Sequence, residues 1–154
     1  MTMNDTAGLL ADTAATVLEA AAFIFTEPAL EDLEWREDVL EAELDFSGVK
    51  SGRLLLAMPK SLAAEVAANL VGLDLEDSPE IAEDGPAAVR ELLNMMAGPF
   101  LAGLCGEEAV TEIGIPTSRV LPPANRSNWQ AGPFLSASLV TDSDQPVEIA
   151  AVLD

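Results

Sequence analysis

A strict alternation of apolar and acidic residues from position 40 to position 46 is the feature that most limits the possible folds. Because successive side chains of a β-strand point to opposite faces of a sheet, this pattern predicts a strand with one buried face and one face in water. A turn-forming stretch, SGVKSG, follows, and the apolar residues 53–58 predict a second, more deeply buried strand that completes a hairpin. The alternating residues are Leu40, Ala42, Leu44 and Phe46 on the apolar side and Glu41, Glu43 and Asp45 on the acidic side.

A first helix is predicted before this hairpin, over residues 6–27. Asn4 or Asp5 can cap its first turn, and Pro28 ends it because proline cannot continue a helix. Its apolar residues approximate one helical face. These residues are Leu9, Leu10, Val17, Leu18, Ala21, Ile24 and Phe25.

Two more helices and a second hairpin are predicted after the first hairpin. The second helix opens at Pro59 and Ser61 and runs to about Gly72. An acidic connection rich in helix-breaking residues, 73–85, separates it from a third helix, whose first turn begins at Pro86.

The C-terminal third contributes further strands. Residues 109–116 predict a short strand, 118–133 are mostly loop, and the stretches 134–141 and 146–153 flank a turn and predict a final hairpin. Long helices combined with strands in adjacent pairs favour an α+β fold with a largely antiparallel sheet. We therefore expect a single domain over residues 1–154.

The charge balance narrows the classes of function. The chain has 27 Asp and Glu against 7 Lys and Arg, a formal net charge of −20. So acidic a chain disfavours binding to a nucleic-acid backbone or to anionic lipid, both of which attract basic residues. We therefore expect neither nucleic acid nor a membrane among its partners.

The absence of two residue types excludes several catalytic sites. With no His and no Tyr, the chain cannot build a Ser-His-Asp triad, a His-ligated metal site or a Tyr nucleophile.

The N-terminal segment and the single cysteine indicate a cytoplasmic protein. The segment lacks the basic region of a secretory signal, and Asp5, Asp12 and Glu19 interrupt its apolar positions. Cys105 has no second cysteine with which to form a disulfide within the chain, and it fits a small apolar side chain near a helix end.

One face of the third helix carries polar residues that could act on a partner. At about 100° per residue, Ala87, Glu91, Asn94 and Gly98 lie together, and Glu91 and Asn94 are neighbours. Ala87 and Gly98 are small enough for another surface to approach, and Arg90 beside them can bind an acidic partner. An ordinary surface helix can carry the same residues. The opposite, apolar face consists of Val89, Leu92, Leu93, Met96 and Phe100.

The stretches GPAAVRELLNMMAGPFLAGL (85–104) and EIGIPTSRVL (112–121) resemble the CheX branch of the CheC/CheX/FliY chemotaxis phosphatase family. In that family a helix carries E-x-x-N, usually followed by an Ala-Gly pair, and a proline comes about twenty residues later. The matching positions are Glu91, Asn94, Ala97, Gly98 and Pro116.

The resemblance implies a pseudo-symmetric fold built from two helix–strand–strand halves. A short internal sequence similarity, in which residues 17–22 (VLEAAA) align with residues 89–94 (VRELLN), agrees with this fold. Two-site members of the family carry E-x-x-N on both long helices, whereas CheX-like members carry it only on the second. In this alignment Ala22 stands where the other Asn would be, which is the CheX-like pattern.

Two positions depart from the family pattern. Ala87 stands four residues before the Glu, where the family often has Asp or Ser, and this weakens transfer of the full motif. Pro99 follows the Ala-Gly pair, where relatives usually continue the helix. Because proline lacks an N–H and crowds the preceding turn, we expect Pro99 to kink the third helix or to end its first segment.

The resemblance also implies an activity, a partner and an oligomeric state. The activity is hydrolysis of the aspartyl phosphate of a response-regulator receiver domain, in chemotaxis or another two-component circuit. Asn94 would orient the attacking water and Glu91 would pair with the receiver's active-site lysine. The receiver would supply Mg²⁺, so that the chain needs no cofactor of its own, and the chain would form a homodimer.

Three other functions stay open at the level of the sequence. A catalytically inactive module of the same fold could bind a receiver or another signalling protein. A structural subunit could dimerise through its sheet edge or its first helix. A metalloenzyme is the most distant alternative, because the acidic residues show no recognisable ligand spacing.

Overall fold

The computed structural model describes residues 2–154, which form three α-helices and seven β-strands. The helices are α1 (Met3–Ala22), α2 (Lys60–Leu70) and α3 (Gly85–Cys105). The strands are β1 (Thr26–Pro28), β2 (Val39–Gly48), β3 (Gly52–Pro59), β4 (Thr111–Ile113), β5 (Thr117–Leu121), β6 (Phe134–Thr141) and β7 (Pro146–Leu153). The connection predicted at 73–85 includes a 3₁₀ segment, Pro79–Asp84.

The strands form one antiparallel sheet in the order β1–β6–β7–β3–β2, and β4 and β5 both pair with the far side of β2. The two predicted hairpins, β2–β3 and β6–β7, meet at the central β3–β7 pair. Each long helix leads to a strand that pairs with the hairpin of the other half: β1 pairs with β6, and β4 and β5 pair with β2. The predicted α+β fold and its pseudo-symmetry are confirmed.

The helices cover one face of this sheet and form the main apolar core with it. The apolar side of β2 is buried there, as the alternation predicted. Phe46 of β2 meets Phe100 of α3 edge to face, with ring centroids 6.3 Å apart, and this contact fixes α3 over β2. Cys105, the last residue of α3, packs against the same core, as expected for a small apolar side chain.

Helix α1 begins with a different cap from the one predicted. Thr2, not Asn4 or Asp5, is the cap: its hydroxyl accepts a hydrogen bond from the Asp5 N–H, and the Asp5 carboxylate accepts one from the Thr2 N–H. This reciprocal pair satisfies two N–H groups that the helix itself leaves without acceptors. The hydrogen bonds from Thr2, the backbone one first, lower the pKa of Asp5.

Helix α1 also ends at Ala22 rather than at residue 27. Phe23 takes a left-handed backbone conformation (φ 56°), and its N–H donates to the Glu19 carbonyl, which closes the last turn. The chain then enters β1, whose pairing with β6 is a long-range contact that local periodicity does not reveal. Phe25, predicted on the apolar helix face, is 53% exposed.

The predicted loop at 118–133 contains ordered structure. Most of β5 lies in it, and Trp129 is buried. The strand predicted at 109–116 is limited to β4. Because β5 is an edge strand with most of its residues exposed, its sequence shows no alternation, and its pairing with β2 decides its structure.

Glu41 contradicts the prediction that the acidic side of β2 lies wholly in water. Its side chain is 5% exposed, whereas Glu43 and Asp45 on the same side are exposed. The Glu41 carboxylate pairs with Arg119 of β5 and with Arg126, each at an N–O distance of 3.0 Å. A carboxylate can be buried only when such partners replace the lost water.

Arg126 is the centre of this buried ion network. Its Nη1 lies 3.0 Å from Oε1 of Glu148 on β7. Its guanidinium carbon lies 4.3 Å from the ring centre of Trp35 and 4.6 Å from that of Trp129. The network and the two tryptophans therefore hold the segments around Trp35 and Trp129 over the helix-free face of the sheet, where a second, smaller apolar cluster forms.

Candidate functional site

Helix α3 carries the predicted site as one continuous element. Pro86 lies in its first turn, where the missing N–H has no helical acceptor in any case. Of the two outcomes expected at Pro99, an end of the helix is wrong, because the helix runs on to Cys105, and a kink stays a prediction. Met96 and Phe100 are fully buried on either side of Pro99, so the same core holds both halves of the helix.

The predicted functional face lies outward on α3. Ala87, Glu91, Asn94 and Gly98 are all exposed, and the side-chain hydrogen bonds formed among residues 2–154 involve neither Glu91 nor Asn94. A Cβ atom placed on Gly98 would meet no heavy atom within 4 Å. The acid and the amide are therefore presented to solvent from a rigid helix, with open space beside them.

Arg90 flanks this face, but its guanidinium is already in contact with the sheet. Nη1 of Arg90 donates to the Ser118 hydroxyl at 2.6 Å. Ser118 belongs to β5, which the sequence pattern assigns to a loop, so this partner could not be found from periodicity. The bond ties α3 to the edge of the sheet and leaves the other N–H groups of Arg90 to bind a partner.

The predicted alignment of the two long helices, residues 17–22 with residues 89–94, is wrong. That alignment matches Ala22 with Asn94. Ala22 is fully buried at the end of α1, and its carbonyl accepts a hydrogen bond from Asn69 Nδ2 at 2.7 Å. Asn94 is exposed near the middle of α3. The two positions therefore have opposite environments.

The pattern of buried residues favours a different alignment of the helices, start to start, with Met3 over Gly85. In that alignment Leu9 and Asp12 of α1 occupy the positions that the glutamate and the asparagine occupy on α3. Neither alignment gives α1 an E-x-x-N pair. The conclusion that only the second long helix carries such a pair is therefore unchanged.

The rest of the molecule offers no competing metal site within residues 2–154, where no three His, Cys, Asp or Glu side chains lie close enough to hold an ion. Over the same residues no helix is long and apolar enough to cross a membrane. A cavity of about 490 Å³ is lined partly by Arg53, Arg119 and Trp129, on the helix-free side of the sheet. None of the predicted site residues lines it, so the site is an open helix face, a shape that suits a protein partner.

Solved structures of chemotaxis proteins share this fold. A chain of the crystal structure of the CheX–CheY–BeF3–Mg²⁺ complex from Borrelia burgdorferi is 22% identical, with a TM-score of 0.69 over 95% of this chain and 96% of that chain. CheX from Desulfovibrio desulfuricans is 18% identical, with a TM-score of 0.71 over 97% of this chain and 99% of that chain. CheX from Vibrio vulnificus is 16% identical, with a TM-score of 0.72 over 100% of this chain and 99% of that chain. A search of curated protein sequences found no significant match.

The sequence also matches a family model, that of the chemotaxis phosphatase CheX, over residues 42–122. The match covers more than half of the 154 residues and includes the whole of α3, β4 and β5. All five predicted site residues lie within it. The chain therefore belongs to the chemotaxis phosphatase CheX family.

Proposed function

We propose that this protein hydrolyses the aspartyl phosphate of a CheY-like response-regulator receiver domain, in chemotaxis or a related two-component circuit. The exposed pair Glu91 and Asn94, one turn apart on a helix whose other face is fixed in the core, carries the proposal. Membership of the CheX family and the shared fold with a chain from a CheX–CheY complex support it.

In this proposal Asn94 enters the receiver's phosphorylation site and orients the attacking water. A side-chain amide donates and accepts hydrogen bonds and stays neutral, so it can hold a water in line with the leaving carboxylate oxygen. The acyl phosphate is intrinsically labile, and the receiver supplies the Mg²⁺ that neutralises the developing charge. The chain then needs neither a histidine nor a cofactor of its own.

Glu91 pairs with the receiver's active-site lysine and thereby sets the depth and register at which Asn94 enters. Ala87 and Gly98, at the two ends of the exposed face, are small enough for the loops of the receiver to approach the helix. Arg90, held by Ser118, places a positive charge beside the pair, where it can bind an acidic group of the receiver.

The proposal is tested by phosphate release from Mg²⁺-bound, phosphorylated receivers of the same organism, with the wild type beside Asn94→Ala. We expect the wild type to accelerate release from at least one receiver and the variant to lose about a hundredfold or more of that acceleration. Asn125→Ala, which removes an exposed asparagine outside α3, is the matched control and should behave as the wild type. Full activity of Asn94→Ala would show that the assignment is wrong.

A binding module without catalysis is the second candidate, and Ala87 favours it. At that position many relatives have a side chain that can form hydrogen bonds, and alanine offers none. Such a module would bind a receiver treated with BeF3 and Mg²⁺ while leaving the loss of its phosphate unchanged. Acceleration of phosphate release by the wild type would exclude this candidate.

We also propose that the protein is a homodimer, on the strength of the family resemblance. Sedimentation equilibrium should give twice the chain mass of 16.1 kDa. A monomer at all accessible concentrations would contradict this proposal without affecting the catalytic one.

A further inference from the structure

Arg90 is the one arginine without a carboxylate partner among residues 2–154. Each of the other four arginines has a carboxylate oxygen within 4.0 Å of its guanidinium nitrogens. In a chain with 27 Asp and Glu, this exception leaves one arginine charge available for a group outside the chain. The paired arginines are Arg36 with Glu34, Arg53 with Glu43 and Asp45, Arg119 with Glu41, and Arg126 with Glu41 and Glu148.

Ser118 of β5 holds the guanidinium of Arg90 without cancelling its charge. The hydroxyl accepts a hydrogen bond from Nη1 of Arg90 at 2.6 Å, and both residues are half-buried. In the strand register Ser118 lies opposite Ala42 of β2, a residue of the core beneath the helices, so Ser118 belongs to the helix-covered face of the sheet. The bond to a neutral hydroxyl leaves Nε and Nη2 of Arg90, which together can bind both oxygens of one carboxylate.

Arg90 also lies next to the proposed site. It precedes Glu91 in the sequence and comes one turn before Asn94 on α3. Residues four apart on a helix have Cβ atoms about 6 Å apart. A stable protein interface buries roughly 800 Å² on each partner, an area roughly 30 Å across. A receiver domain that docks on Asn94 therefore covers Arg90 as well.

We propose that Ser118 is a positioning residue for receiver binding, which fixes Arg90 so that its free N–H groups bind a carboxylate of the receiver beside the phosphorylation site. This inference rests on the proposed function and adds to it the residue that prepares Arg90 for its partner. The Mg²⁺ site of a receiver needs oxygen ligands, chiefly carboxylates, so acidic groups lie close to the phosphoryl group. Holding the long arginine side chain in advance reduces the conformational entropy lost on binding.

Two single substitutions measure the contact and its preparation. Arg90→Met should raise Kd for the receiver treated with BeF3 and Mg²⁺ by about tenfold, and Ser118→Ala should raise it by about threefold. In both variants kcat for phosphate release should stay within about twofold of the wild type, because Asn94 and Glu91 are untouched. Adding Ser118→Ala to Arg90→Met should have no further effect, since the serine acts through the arginine.

Ser118→Asp separates this role from a purely structural one. Aspartate still accepts a hydrogen bond from Arg90, so α3 stays tied to β5 and the melting temperature should be no lower than that of the wild type. Its carboxylate also neutralises the guanidinium, so Kd should rise by about tenfold, as in Arg90→Met. A residue that only joined the helix to the sheet would bind the receiver as well with aspartate as with serine.

Arg53→Met is the matched control. Like the other charge-changing variants it makes the net charge more negative by one, and Arg53 lines the cavity on the helix-free side of the sheet, away from α3. It should leave Kd within about twofold of the wild type. Raising the salt concentration should reduce the difference in Kd between Arg90→Met and the wild type, because salt screens a contact between charges.

The possible outcomes distinguish this inference from the proposed function. If the wild type is active and both Arg90→Met and Ser118→Asp keep its Kd, the inference is overturned while the proposed function stands. If Arg90→Met lowers kcat and leaves Kd unchanged, the guanidinium acts on the phosphoryl group and the inference is also overturned. An equal effect of Ser118→Ala with and without Arg90 would overturn the positioning role. If the wild type neither binds nor dephosphorylates any receiver, both proposals fail.

Discussion

The guanidinium of Arg126 illustrates how much of this fold depends on one side chain. It is 7% exposed, contacts the carboxylates of Glu41 and Glu148, and lies against the rings of Trp35 and Trp129. Removing one partner of such a network leaves the others buried and uncompensated, which costs far more than the ion pairs themselves are worth.

We therefore expect Arg126→Met to lower the free energy of unfolding by about 3 kcal/mol, because the buried carboxylate of Glu148 loses its ion pair and that of Glu41 keeps only Arg119. Urea denaturation followed by tryptophan fluorescence measures the change. Arg53→Met is the control, since Arg53 pairs with Glu43 and Asp45 on an exposed part of the sheet. Exposed pairs contribute at most about 1 kcal/mol, so equal losses in the two variants would contradict this account of Arg126.

Asp5 gives a prediction about pH. Its pKa in the folded chain is lowered by the hydrogen bonds from Thr2, so its contribution to stability is complete above the unfolded pKa of an aspartate and is lost as pH falls through the lowered value. The protection factors of the first-turn amides of α1, which correct for the slower intrinsic exchange in acid, should therefore fall in acid more than those of Asp5→Asn, which cannot titrate. An equal response of both proteins would show that the cap is not the cause.

At the scale of elements, α3 combines the proposed site with an internal proline. Pro99 has no N–H, so the Met95 carbonyl loses the donor that a helix normally provides, and the pyrrolidine ring crowds the preceding turn. Pro99 is exposed, so replacing its side chain would remove few packing contacts. The helix persists because the core holds its buried face.

Pro99→Ala should consequently stabilise the protein, by roughly 1–3 kcal/mol in the free energy of unfolding. Asn94 and Glu91 lie before the proline on a helix that is already continuous, so phosphatase activity should stay within about twofold of the wild type. Urea denaturation and phosphate release on the same samples give both values. A loss of stability would mean that the proline fits a helix geometry that alanine does not adopt.

The sequence predicted those elements whose pattern is local and strong. The alternation at β2 and the helical spacing in α3 located the first hairpin and the outward face with Glu91 and Asn94. It missed β1 and β5, because both are edge strands specified by pairing with distant strands. The end of α1 was missed because Phe23 closes the helix in a conformation that its residue type disfavours.

The contacts around the site were less predictable than the site helix. Arg90 was predicted to bind an acidic partner, and its bond to Ser118 was not foreseen because it depends on β5 lying beside α3. Glu41 resembles its exposed neighbours in the sequence, yet it is buried, because two arginines from later in the chain reach it. Such long-range partners leave no periodic signal in the segments that carry them.

At the scale of the whole molecule, the pseudo-symmetric sheet carries two long helices, of which only α3 has the E-x-x-N pair. The chain as a whole carries a net charge of −20. Association with an acidic receiver should therefore quicken as salt is raised from low to moderate concentration, since salt screens the repulsion. Stopped-flow association rates measure this effect. A marked slowing with salt would mean that local attraction, through Arg90 or Glu91, controls the encounter.

The most direct test of the central claim separates binding from chemistry at Asn94. Single-turnover loss of phosphate from a Mg²⁺-bound receiver is measured at saturating protein, together with Kd for the BeF3-treated receiver, for the wild type and Asn94→Ala. The account predicts that the variant binds with a Kd within about threefold of the wild type, while phosphate loss falls to the receiver's own rate. A variant that retains the wild-type rate would contradict it.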